Sequence, residues 1–307
     1  MDKRPNRVSV LILTMNEEVN IRACLEGVKW ADEIFVLDSG STDNTLAICR
    51  EYTSNLYSRR FDNWSSQLNW ALSNLPFRNE WVFNVDADEI VSDTLAAEIV
   101  NAAETSPDSV TAWWLRRRFI FLGKWLRYSA LYKSWILRMF RHKRLRFQRL
   151  VNPVPVYEGG DAYFVNDLIH DDRKGFSALV ARHNSYSSYE AVESLRRLYP
   201  EYLTDAERAS TLKDDSAIKK KKLLFERLPL FARPPARFTY MYFVNLGFLD
   251  GLEGFIYSFF KLCYEFFICV KIYELRCERT PGLAGALPQT ERNANAVGGR
   301  ELQDRKA

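Results

Sequence analysis

In the first hundred residues, short apolar runs alternate with stretches whose apolar positions recur every three or four residues. Continuous short runs suit strands buried on both faces, and the longer period suits helices lying over them. The spacing predicts strands at residues 8–13, 33–37, 55–59 and 81–85. Helices are predicted at 17–29, 42–52, 64–73 and 92–103, the last with Ser92 as its N-cap. Strand and helix in alternation define an α/β class with a parallel sheet covered by helices.

The pattern changes after Pro107. From Ser109 through Tyr157 there is no acidic residue, while Arg116, Arg117, Arg118, Arg138, Arg141 and further cations accumulate among aromatics, so one strongly positive face is predicted. Residues 187–228 read as charged helix and end at Pro229, Pro234 and Pro235, which no continuous helix tolerates; a hinge or domain edge is expected there. Between residues 238 and 275 the chain is strongly aromatic, but Asp250, Glu253, Lys261, Glu265, Lys271 and Glu274 interrupt it too often for a membrane span. At 3.6 residues per turn, Phe255, Phe259, Leu262, Phe266, Val270 and Tyr273 share one face, with Asp250, Lys261 and Glu265 opposite. Such a helix can pack on its own core, on a second subunit or on a membrane surface, and the last is the reading adopted. Residues 281–307 are polar, without apolar period, and read as a disordered tail.

Composition adds limits. The 307 residues are 47% hydrophobic and 27% charged, as in a folded globular protein. A net charge of +4 does not by itself indicate nucleic acid, and no nucleic-acid partner is expected. Five cysteines without paired or zinc-type spacing fit a reducing compartment, and the apolar run at 8–13 is too short for a signal peptide, so a cytoplasmic protein is expected.

Candidate chemistry gathers where the predicted strands end, which is where ligands bind in open α/β sheets. Strand one ends in Thr14-Met15-Asn16-Glu17, strand two in Asp38-Ser39-Gly40-Ser41-Thr42-Asp43, and strand four in Asp86-Ala87-Asp88-Glu89. Any one of these is ordinary turn or capping chemistry; all three at one sheet edge point to a ligand. Asp86 and Asp88 follow an apolar strand, so their mutual repulsion calls for a divalent cation, Mn²⁺ or Mg²⁺, of the kind that binds carboxylates together with substrate phosphates. Asp38 suits a ribose or base edge, or equally the start of the next helix. Neither a dinucleotide fingerprint nor a P-loop follows the first strand.

These three motifs, in this order, resemble the family 2 glycosyltransferases. The resemblance covers the first hundred residues and implies a GT-A fold, with a mostly parallel central sheet followed here by a helical C-terminal extension. It further implies a nucleotide-sugar donor, with Thr14, Asn16, Glu17 and Asp38 lining the nucleotide pocket, Asp86 at the ribose or metal, Asp88 on the metal, and inversion at the anomeric carbon. A looser likeness, carried by residues 61–69, Arg138-Met139-Phe140-Arg141, Tyr157-Glu158-Gly159, His170 and the stretch 248–255, is to the lipopolysaccharide-core glucosyltransferase-like branch. That branch often has histidine where Tyr157 stands. By the same resemblance His170 is expected at the metal or a donor phosphate.

An inverting transfer needs a base near the attacking hydroxyl. Glu158, the first acid after the cationic stretch and followed by Gly159-Gly160, is the residue assigned, with Asp161, Asp171 and Asp172 as alternatives. The chain then divides into a donor half at 1–110, an acceptor half at 111–186, a charged helical segment at 187–235, an amphipathic aromatic segment at 236–280 and the tail. The expected function is transfer from a nucleotide sugar, a UDP-hexose, to a lipid-linked saccharide in bacterial lipopolysaccharide or exopolysaccharide synthesis, at the inner face of the cytoplasmic membrane. Two rivals are a nucleotidyltransferase, which would need a Gly-rich basic loop after strand one, and a catalytically silent carbohydrate- or lipid-binding subunit.

Overall fold

A computed structural model describes residues 7–130, 132, 134–148, 153–199 and 224–277. The donor-side half runs β1 (Val8–Thr14), α1 (Ile21–Gly27), β2 (Glu33–Asp38), α2 (Thr45–Arg50), β3 (Leu56–Ser58), α3 (Trp64–Asn74), β4 (Trp81–Asp86), β5 (Glu89–Ile90) and α4 (Asp93–Thr105). Then follow β6 (Val110–Phe121), β7 (Lys124–Trp125), β8 (Trp135–Arg141), β9 (Leu145–Gln148), β10 (Val154–Tyr157), β11 (Gly160–Tyr163) and β12 (Leu168–His170). The helical part is α5 (Gly175–Leu198), α6 (Arg233–Thr239) and α7 (Gly251–Cys277).

The central sheet has the order β3-β2-β1-β4-β8-β6-β12-β5, with β7 and β11 also paired to β6. Strands β1 to β4 are mutually parallel where they pair, β8 runs antiparallel between β4 and β6, and β11 and β12 run parallel to β6. Alternate residues of the apolar strands feed opposite faces. Val10, Ile12, Phe83 and Val85 pack with Leu25 of α1 and Leu95 and Ile99 of α4. Leu11, Phe35, Leu37 and Val82 pack with Leu68 and Ala71 of α3. Burial of each such side chain contributes about 1.5–3 kcal/mol, which makes the sheet a rigid platform for its edge.

The first four strands and α3 and α4 lie where the pattern predicts, and Ser92 caps α4 through its Oγ, which accepts from the Leu95 N–H at 3.3 Å. The first helix starts later than predicted. Asn16 has φ 53°, and the N–H groups of Asn16, Glu17 and Glu18 donate to Ser41 Oγ, Thr45 Oγ1 and Asp43 Oδ2. The loops after β1 and β2 are thus laced together, and Asn16, in the left-handed region, cannot join the helix; the Glu17 carbonyl accepts from the N–H groups of Asn20 and Ile21 in a single turn that leads into α1. The prolines mark no simple hinge either: Pro234 and Pro235 occupy the first turn of α6, where a missing N–H costs nothing. The predicted tail at 281–307 lies outside the described residues, as does most of the charged stretch between α5 and α6.

Helix α7 packs on α5 through Tyr189, Val192, Leu195, Ile268 and Ile272. Its start is clamped by Asp250, whose buried carboxylate accepts from the N–H groups of Arg127, Tyr128 and Ser129 at 2.8–3.0 Å and from Ser129 Oγ at 2.7 Å. A side chain at Gly254 would collide with the Gly247 carbonyl oxygen, so this corner admits only glycine. The amphipathic pattern of α7 is turned inside out. Phe255, Phe259, Phe266, Val270 and Tyr273 are exposed, while Glu265 and Asp250 are buried. Phe243, Val244, Leu246, Phe248, Leu249 and Leu252 extend the exposed apolar surface at the start of α7. Among the described residues no helix is long and apolar enough to cross a membrane.

Candidate active site

The ends of β1, β2 and β4 are level. Thr14 pairs in register with Asp38, and Leu13 with Asp86, so three of the expected residues share one sheet edge. Asp38 is buried and closes its own turn: Oδ2 accepts from the N–H groups of Gly40 and Ser41 at 2.9 Å, and Oδ1 from Ser41 Oγ at 2.5 Å. Of its roughly four lone-pair directions, about one remains for a ligand. Thr14 Oγ1 is buried and has no hydrogen-bond partner among the described residues. Asn16 is exposed, with its Oδ1 accepting from the Thr42 N–H at 2.8 Å. Glu17 holds Lys174 Nζ at 2.5 Å and Asn20 Nδ2 at 2.8 Å; burial outweighs both and raises its carboxyl above the usual range.

Strand β12 completes the edge. It pairs antiparallel with β5, His170 opposite Glu89, and the Asp171 N–H donates to the Asp88 carbonyl at 3.0 Å. His170 Nδ1 comes to 3.3 Å from Asp88 Oδ1 but is not aligned as a hydrogen bond, and it has no other partner among the described residues. Two donor atoms that converge without a proton satisfactorily between them fit a shared cation. Among the described residues no three His, Cys, Asp or Glu side chains cluster as a metal site, so further ligands would have to come from phosphate and water, the usual arrangement for Mg²⁺.

Repulsion between Asp86 and Asp88 is not what draws a cation here, contrary to expectation. Asp86 is paired with Arg138 Nη2 at 2.5 Å, and the same nitrogen reaches Glu89 at 2.6 Å. Asp88 is met by Arg182 Nη1 at 3.5 Å. The carboxylates are therefore compensated by arginines, and repulsion alone does not demand a metal. Burial opposes ionisation of Asp88, but His170, Arg182 and Arg117 outweigh it and hold its carboxyl well below the usual range. The expected positive face is also reduced: Arg138 and Arg141 are buried, Arg141 against Glu80, while Arg116 and Arg118 both pair with Asp167.

Glu158 is not brought to this edge. It is exposed in the turn before β11, its carbonyl accepts from Thr111 Oγ1, and Gly160 pairs with Val110 at the start of β6. His170 pairs with Phe119 near the other end of β6. At about 3.3 Å per residue the two positions are roughly 30 Å apart along the strand. Asp161 shares the far end and bonds Trp114 Nε1 at 3.1 Å. Asp171 and Asp172 lie on the near edge. Asp172 is held by Asn20, the Lys174 N–H and Arg182, whereas Asp171 meets Arg173 Nε at 2.8 Å.

From the sequence Arg138 was placed on the positive face rather than at the site, and Lys174 and Arg182 had no role. An arginine between Leu137 and Met139 in a mostly apolar strand was a signal for a buried carboxylate partner. Lys174 and Arg182 gave none, because their partners are distant in sequence.

Residues 9–168 match the family model described as glycosyl transferase family 2, just over half of the chain. The chain belongs to that family. The sheet described above is its GT-A core, with α5 to α7 added after it. The lipopolysaccharide core biosynthesis glycosyltransferase LpsC of Rhizobium meliloti is 28% identical over 279 residues, covering 87% of this chain and 92% of that protein. An uncharacterized glycosyltransferase of Rickettsia typhi is 27% identical over 205 residues, covering 62% of this chain and 69% of its own. Among solved structures, glucosyl-3-phosphoglycerate synthase from Mycobacterium tuberculosis, in complex with Mn²⁺ and uridine-diphosphate-glucose, overlaps 38% of this chain and 44% of that one, at 21% identity and a TM-score of 0.31. At that score the overlap carries no weight, and the fold rests on the strand order and the family match.

Proposed function

We propose that this family 2 glycosyltransferase is an inverting hexosyltransferase that takes its sugar from a UDP-hexose and gives it to a lipid-linked saccharide in bacterial lipopolysaccharide or exopolysaccharide synthesis. The observation that carries the reading is the level register of Thr14, Asp38 and Asp86 with the Asp88–His170 pair beside them. The likeness to a lipopolysaccharide-core enzyme over most of both chains supports the class of acceptor.

In this reading Thr14, Asn16, Glu17 and Asp38 border the nucleoside, Asp86 is fixed by Arg138 beside the ribose, and Asp88 with His170 would hold Mn²⁺ or Mg²⁺. Such an ion supplies charge for the departing diphosphate. The base at the near edge is Asp171, in place of Glu158. It takes the proton of the acceptor hydroxyl as the new bond to the anomeric carbon forms; the bond from that carbon to the diphosphate oxygen breaks on the opposite face, and the nucleoside diphosphate leaves. Hydrolysis assays over a panel of nucleotide sugars with Mn²⁺ test this: turnover of one or a few UDP-hexoses is expected, and inertness toward all of them would remove the donor assignment. One observation favours a catalytically silent binding subunit instead, namely that arginines already neutralise Asp86 and Asp88. The same assay separates the two.

The outward apolar stripe of α7, with Phe243, Leu246, Phe248 and Leu249 beside it, supports contact with the cytoplasmic face of the membrane. Sedimentation with anionic liposomes should persist in high salt, because burial of apolar surface is not screened. Phe255→Ser combined with Phe259→Ser should release the protein. If the wild-type protein stays in solution with liposomes at low salt, the stripe is a protein interface instead.

A further inference from the structure

Arg182 reaches the site from α5, a helix outside the family-matched region. Its guanidinium spans two carboxylates that belong to different strand ends. Nη2 is 2.8 Å from Asp172 Oδ2, and Nη1 is 3.5 Å from Asp88 Oδ2. The contacts are unequal. Asp172 is itself fixed, its Oδ1 accepting from Asn20 Nδ2 and from the Lys174 N–H, each at 3.1 Å. Asp88 is held only at the outer limit of a hydrogen bond. Arg182 is therefore anchored on Asp172 and rests loosely on Asp88, with 27% of its side chain exposed.

Two physical facts follow. A divalent cation on Asp88 and a guanidinium 3.5 Å from the same carboxylate repel each other, so they compete for it. A guanidinium also carries five N–H donors in a planar fork that matches phosphate oxygens, and only part of that fork is engaged by Asp172.

We propose that Arg182 is a displaceable counter-ion of Asp88: it neutralises Asp88 in the empty enzyme, yields that carboxylate to the divalent cation, and then pivots on Asp172 to bind the diphosphate of the donor. This rests on the assignment of the cation to Asp88. It explains why the edge is already compensated by arginine and yet keeps an unaligned His170–Asp88 contact. The empty site stays neutralised without a metal, and the charge released when the metal arrives is used on the leaving group.

The consequence is a reversal of sign that a purely structural arginine would not produce. Calorimetry with Mn²⁺ alone, and with UDP at saturating Mn²⁺, is compared for wild type, R182A and R182K, with melting curves to confirm folding. R182A should bind Mn²⁺ alone about two- to fivefold more tightly, because a partly exposed competitor has gone. The same variant should bind UDP with Mn²⁺ roughly tenfold more weakly, because charge-assisted hydrogen bonds to the diphosphate are lost. R182K keeps the competitor and loses the fork, so its Mn²⁺ affinity should stay near wild type while UDP binding weakens; it serves as the test if R182A does not fold. Unchanged or weaker Mn²⁺ binding in folded R182A, or both affinities shifting in one direction, would overturn the proposal. Wild-type protein that binds no Mn²⁺ with or without UDP would instead overturn the metal assignment and this proposal with it.

Discussion

Asp88→Asn is expected to reduce transfer by on the order of 10²–10³, the range found when one preorganised charge on a leaving oxyanion is removed. Asn is close to isosteric, so His170 and Arg182 keep a polar neighbour and the edge of β5 is retained. What is lost is the charge that would hold the cation. Excess EDTA should abolish wild-type turnover, and added Mn²⁺ should restore it in wild type but not in the variant. The pH dependence has a definite sign. Because the folded state holds the Asp88 carboxyl low, its contribution to stability is complete above its unfolded value of about 4 and is lost as pH falls through the lower folded value. The variant should therefore lose less stability than wild type on acidification, in melting curves taken below about pH 4. Full transfer by the variant, or by wild type in EDTA, would remove the ion from the reaction.

Asp171→Asn is expected to lower transfer by on the order of 10²–10⁴ while leaving UDP and Mn²⁺ binding near normal, the pattern of a removed general base. The residue follows β12 directly, and its backbone is fixed to Asp88 by a 3.0 Å hydrogen bond, so its carboxylate is at the cation end of the sheet without being a ligand in this reading. The control is Glu158→Gln. With Glu158 at the far end of β6, that variant should turn over at close to the wild-type rate. The opposite result, a large loss in Glu158→Gln and little in Asp171→Asn, would mean that the segment before β11 rearranges to reach the site and would return the role to Glu158.

The donor edge was legible because its signals are local. Apolar runs ending in Asp38 and Asp86 define strands, and parallel strands put those ends together whatever the rest of the chain does. Ser92 was legible for the same reason, as a cap is set by its own helix. The start of α1 was not, since it follows a loop in which Asn16 takes a left-handed φ of 53° and residues 16–18 are tied to Ser41, Asp43 and Thr45 of a distant loop. Glu158 lies away from that edge, which composition could not show because it says nothing about direction. Once His170 is placed at one edge, an extended chain of twelve residues before it leads away, roughly 40 Å if fully stretched, and this could have been counted. The compensation of Asp86 and Asp88 by Arg138 and Arg182 depends on pairings 52 and 94 residues apart, which no local pattern encodes. Nor could helical periodicity say which face of α7 points outward, because both a core-packed and a surface-bound helix have a continuous apolar stripe.

The central claim, that the level ends of β1, β2 and β4 receive a nucleotide sugar beside a cation on Asp88, is tested most directly by a crystal structure with UDP and Mn²⁺. The expected result is the uridine against Asp38 and Glu17, the diphosphate near Arg182, and the ion bonded to Asp88 at the usual metal–oxygen distance of about 2.0–2.4 Å. Uridine bound elsewhere, for instance in the groove beside Trp30 and Asp93 on α4, or an ion with no bond to Asp88, would contradict it.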